Sequence, residues 1–182
     1  MGKKVIGTIL ALSIAAVGLF GCRRLRIEEP ERNIRLTYVD WDEGIALTSL
    51  AAAVLEDRMG YRVELIMEDA DAAFAALAAG DADAFLNVRL PIIHKSQVEQ
   101  YESDMIDLGI SYNSEESVHK YVRKGLGSDM PEVALFLKNF KVNEAELRDF
   151  MKSMKEDGKE PLESARDWIK FNTELINGWI SG

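Results

Sequence analysis

The sequence predicts an α/β lobe whose sheet is built from parallel βαβ units and which is finished by a helical annex. Three observations predict it. Between Ile34 and Leu90, short β-rich runs alternate with helical runs. Each of the two helical runs is stopped by a glycine, Gly60 and Gly80. From His94 onward, the alternation gives way to mostly helical segments separated by Gly, Pro and Asn.

IRLTYV (Ile34 to Val39) is rich in β-branched and aromatic residues and reads as the first strand. Asp40 followed by Glu43 has the spacing of a capping box. The run GIALTSLAAAVLEDRM after it places Leu47, Leu50, Ala51, Val54 and Leu55 on one helical face. YRVELIM (Tyr61 to Met67) is a second strand, and EDADAAFAALAAG a second helix with Phe74 and Leu77 inward. DAFLNV forms a third strand, which Pro91 prevents from continuing as a central one. Strand, helix, strand, helix, strand at this rhythm requires right-handed crossovers. A short helix HKSQVEQYE and an apolar stretch MIDLGI follow, and then EESVHKYVRKG, MPEVALFLKNF, NEAELRDFMKSM and PLESARDWIKF all read as helix.

The chain begins with Lys3 and Lys4 ahead of VIGTILALSIAAVGLF, the anatomy of a secretory signal over residues 1–21. LFGC resembles a bacterial lipobox, which would make Cys22 the lipid-bearing residue of an exported protein anchored to the cell envelope. Cys22 is the only cysteine, so no internal disulfide is available. Residues 22–33 then read as a tether and 34–182 as the lobe, with an α/β part (34–110) and a helical part (111–182). Without residues 1–21, 20 basic and 31 acidic side chains remain, a formal net charge of -11 that repels nucleic acid.

Open parallel sheets bind ligands beyond the carboxyl ends of their strands. Those ends carry Asp40 and Trp41 after the first strand, Met67 to Asp71 after the second, and Arg89 to His94 after the third. No P-loop, G-x-S-x-G, H-E-x-x-H or Rossmann glycine pattern is present, and the two histidines lie far apart in sequence. No enzyme, metal site or cofactor is implied. Asp69/Asp71 and Asp81/Asp83 read as residues that cap and solvate element ends. Trp168 and Trp179 fit apolar helix faces, and His119 fits the surface.

YVDWDEGIALT, LEDRMGYRVEL, GDADAF followed by LPIIHK, and RKGLGSDMPEVALFLKNF with ARDWIKFNTELINGWI resemble the substrate-binding proteins of bacterial glycine betaine ABC importers, over nearly all of 34–181. The resemblance implies one lobe of a type II periplasmic-binding-protein fold, a permease partner, and a quaternary ammonium held by a tryptophan cage with its carboxylate on a histidine and backbone amides. Trp41 matches the tryptophan of the family's Y-V-x-W motif, and His94 the histidine of A-W-L-P-x-x-H. Arg89 stands where the second motif has tryptophan. The family also inserts a second α/β lobe between the segment ending DLG and the one beginning EES, where this chain has only Ile110 to Ser114. The expected ligand residues are therefore Trp41, Arg89 and His94, with weak or no betaine binding and a carboxylate as a second candidate ligand. Two alternatives remain: a docking lobe that has lost betaine binding, working with a permease, a sensor or a separately encoded second lobe, and a homodimer facing itself across the open cleft.

Overall fold

The computed structural model describes residues 32–113 and 116–182. The expected signal segment, Cys22 and nearly all of the tether lie outside the described residues. In chain order the elements are β1 (Asn33–Tyr38), α1 (Asp42–Asp57), β2 (Arg62–Met67), α2 (Ala70–Ala79), β3 (Ala84–Leu90), α3 (Lys95–Tyr101), β4 (Met105–Asn113) and β5 (Ser117–Arg123). They are followed by α4 (Leu126–Asp129), α5 (Pro131–Asn139), α6 (Glu144–Glu156), α7 (Pro161–Phe171) and α8 (Thr173–Ser181). The strands form one sheet in the order β2-β1-β3-β5-β4.

β1 runs parallel to β2 and β3, as the βαβ rhythm requires. β5 runs antiparallel to both β3 and β4, so the sheet is mixed rather than parallel. Within EESVHKYVRKG, expected as helix, Ser117–Arg123 form β5. Val118, Lys120 and Val122 alternate inward along it, and the lysine hides the strand period because its side chain is buried like an apolar one. Lys120 Nζ donates to the carbonyls of Ile110 (3.0 Å), Lys138 (3.3 Å) and Phe140 (2.6 Å), joining β5 to β4 and to the end of α5. Burial pulls this ammonium down from 10.5 to about 8.

Two cores flank the sheet. The larger lies between one face and α1, with α5 to α8 closing over it, and the smaller holds Phe74, Leu77, Phe85, Val88 and Tyr121 against α2 and α3. Ala46 to Leu55 are all buried, because α1 is covered by the sheet on one side and by α6 and α7 on the other. Trp179 is core as expected, with its ring 4.7 Å from Phe140 and its Nε1 donating to the Lys141 carbonyl at 3.2 Å, while Trp168 is half-buried beside it. His119 is also half-buried, with Nδ1 2.8 Å from the Asp107 carboxylate.

The carboxylates divide by role. Asp69 caps α2 by accepting from the Ala72 N–H at 2.9 Å, and Gly80 ends that helix in the left-handed conformation (φ 80°). Asp83, expected to solvate a strand end, is 1% exposed. It accepts from the Arg35 backbone N–H (2.7 Å), Arg35 Nε (3.2 Å) and Arg123 Nε (2.6 Å), tying the amino ends of β1 and β3 to the carboxyl end of antiparallel β5.

Candidate ligand-binding site

Trp41 follows β1 through a tight turn in which its N–H donates to the Val39 carbonyl at 2.8 Å. The α1 backbone then packs close behind: a Cβ on Gly44 would lie 2.9 Å from the Val39 carbonyl oxygen, so only glycine lets the first helical turn sit against the strand end. Trp41 occupies the N-cap position with no side-chain cap. The expected Asp40/Glu43 capping box does not form, because Glu43 reaches across the sheet end to Arg89 instead, at 3.0 Å.

Arg89 lies near the end of β3, where it pairs in register with Val118 of β5. Its guanidinium carbon sits 5.7 Å from the Trp41 ring centroid, within cation–π range. Besides Glu43, it faces the Glu116 carboxylate at 3.9 Å. The side chain is 20% exposed, and its Nε is buried with no hydrogen-bond partner.

His94 closes the turn after Pro91. Its N–H donates to the Arg89 carbonyl (3.0 Å) and its Nδ1 accepts the Arg89 N–H (2.9 Å), so the turn is latched in both directions. An Nδ1 that accepts places the ring proton on Nε2, which is buried without a partner. The ring lies parallel to Trp41 (5.6 Å, 4°) and meets Phe74 edge-on at 5.5 Å. Burial first, and the Arg89 charge second, pull the imidazole down from 6.5 to about 4.

The structure thus brings Trp41, Arg89 and His94 together at the carboxyl ends of β1 and β3. Their exposures differ: Trp41 is 37% exposed, whereas His94 lies beneath it at 1%. Met67, Ile92 and Ile93 add exposed apolar side chains at this end of the sheet. Glu116 and Glu43 carry the electrostatics of Arg89, yet neither was legible as a partner: Glu43 reads as a cap, and Glu116 comes near only because β5 pairs with β3. Among the described residues no cluster of three or more metal-ligating side chains occurs, and no helix is long and apolar enough to cross a membrane.

The buried neutral His94 makes stability depend on pH. The unfolded chain protonates this imidazole near pH 6.5 and the folded chain only near pH 4, so its contribution is intact above 6.5 and drains as pH falls toward 4. At about 1.4 kcal/mol per pH unit, the loss approaches ~3 kcal/mol. Denaturant unfolding at pH 7 and pH 4.5 should show His94→Gln losing less stability between the two than the parent; equal losses would refute the assignment.

The model of the OpuAC family, the substrate-binding domain of ABC-type glycine betaine transport systems, matches residues 32–116 and 107–170. The chain belongs to this family. It is 35% identical over 71 residues to the glycine betaine/carnitine transport binding protein GbuC of Listeria monocytogenes serotype 1/2a (strain 10403S), a match that covers 39% of this chain and 23% of that relative, under a quarter of its length. Lactococcal OpuAC in its closed form with glycine betaine superposes with a TM-score of 0.76 at 16% identity, over 82% of this chain and 99% of that one. An ABC-transporter choline binding protein in complex with choline gives 0.77 at 15% identity, over 85% and 94%. The glycine betaine/L-proline-binding protein ProX of Borrelia burgdorferi gives 0.77 at 15%, over 81% and 96%. At such identities, the likeness shows that this OpuAC-family chain has the substrate-binding-protein fold.

Proposed function

We propose that this OpuAC-family chain is the solute-binding component of a betaine-type ABC importer, reduced to one lobe and carrying an altered ligand cage. In this reading Trp41, Arg89 and His94 form the ligand face, and a permease is the partner. The observation that carries it is the convergence of these three side chains at the carboxyl strand ends of a substrate-binding-protein fold. Reduction to one lobe is supported by the β4–β5 connection, which is only Ser114 to Glu116, and by family-model matches that overlap at 107–116. Export with a lipid on Cys22 completes the proposal; it rests on the lipobox-like LFGC, and recovery of a Cys22→Ala variant in the membrane fraction at the parent's level would remove it.

The altered cage sets the affinity. A trimethylammonium on an indole face gains about 0.5–2 kcal/mol. A guanidinium about 4 Å away opposes it by roughly 4 kcal/mol at an effective dielectric near 20, before its carboxylate partners are counted. A one-sided site also leaves the ligand half in water, whereas good small-molecule sites enclose most of it. The lipid-free chain is therefore expected to bind glycine betaine more weakly than 1 mM by calorimetry, roughly a 4 kcal/mol interaction at most. Sub-millimolar affinity would overturn the one-lobe reading. Any binding found across betaines, choline, carnitine and amino acids is expected to fall at least tenfold in Trp41→Ala, and unchanged binding would overturn the ligand face.

A further inference from the structure

Arg89 does more than interrupt a cage. Its guanidinium lies 5.7 Å from the Trp41 ring centroid and is held by carboxylates from two separate parts of the chain, Glu43 in the first turn of α1 and Glu116 just ahead of β5. An aromatic face flanked by two carboxylates is what a free organic cation would require. Here the chain supplies that cation itself. Resting on the reading of this end as the ligand face, we infer that Arg89 is a tethered occupant of the cation subsite formed by Trp41, Glu43 and Glu116, and that it selects zwitterions over simple cations.

The selection follows from charge. A simple cation such as choline can reach Trp41 only by displacing Arg89. The guanidinium would then stand mostly buried without a counter-ion, at high cost. A zwitterion brings both charges. Its ammonium takes over the indole and the two carboxylates, while its carboxylate receives the freed guanidinium, which pairs with carboxylates in a two-pronged geometry. No charge is then left without a counter-ion. The buried Nε of Arg89, which has no hydrogen-bond partner, gives the guanidinium an unused donor for the incoming carboxylate.

Calorimetry on the lipid-free chain and on Arg89→Gln, with choline and glycine betaine as probes, tests this. In Arg89→Gln the choline affinity is expected to rise at least tenfold, and the choline-to-betaine affinity ratio to rise with it. The inference is overturned if Arg89→Gln binds choline no better than the parent, or if the parent already binds choline as tightly as glycine betaine. Should circular dichroism show the Gln variant unfolded, Arg89→Met, which keeps the apolar stem, takes its place with the same expectations. Failure of the underlying ligand-face reading has a separate signature: adding Trp41→Ala would leave binding unchanged in both the parent and the Arg89→Gln chain.

Discussion

Replacing Asp83 by alanine is expected to lower the unfolding free energy by about 3–5 kcal/mol, the range for removing one member of a buried ion pair. The carboxylate is 1% exposed and sits between Arg35 and Arg123, the latter with a side chain only 15% exposed. Without it, Arg123 keeps Asp129 at 2.7 Å, but Arg35 loses both its side-chain pairing and the partner of its backbone N–H. Backbone hydrogen bonds from Asp83 N–H to the Arg35 carbonyl and from Arg123 N–H to the Asp83 carbonyl remain, so the strand order should survive. Urea titration measures the loss. A change below about 1 kcal/mol, the scale of an exposed pair, would show that the network is solvated and contributes little.

Phe74→Ala should produce a loss of similar size, about 3–5 kcal/mol, through the cavity left by a large core side chain. Phe74 is fully buried in α2, 5.4 Å from Phe85 and 5.5 Å from His94 in edge-on contacts. The same cavity undermines the site, because Phe74 is part of the dry wall that keeps His94 neutral. Water reaching the imidazole should raise its titration point from about 4 toward 6.5, readable by NMR on the ring protons. Unchanged stability, or an unmoved titration point in a destabilised variant, would separate the packing of Phe74 from the support of His94.

Much of the fold was legible because β1, α1, β2, α2 and β3 obey simple periods. Each of these strands is a β-rich run bounded by polar or glycine signals, and each helix places its apolar residues at helical spacing. β5 was not legible. Val118, Tyr121 and Val122 have i, i+3, i+4 spacing, and Lys120 at an inward position broke the strand alternation until three backbone carbonyls explained it. Asp83 failed for the same reason: a charge read as solvated was buried with partners far away in sequence, Arg35 and Arg123.

At the carboxyl ends of β1 and β3, residue identity was readable from the family-like motifs Y-V-x-W and L-P-x-x-H, which pointed to Trp41 and His94 and marked Arg89 as the departure between them. Sequence by itself determined the βαβ rhythm, the glycine and proline stops, and which strand ends carry aromatic and cationic groups, because these depend on local backbone preference and nearby spacing. Only tertiary structure decided that β5 runs antiparallel beside β3, that His94 is buried and neutral, and that Glu43 and Glu116 hold Arg89 against Trp41. Those outcomes depend on which distant groups share a dry volume, and local periodicity carries no record of that.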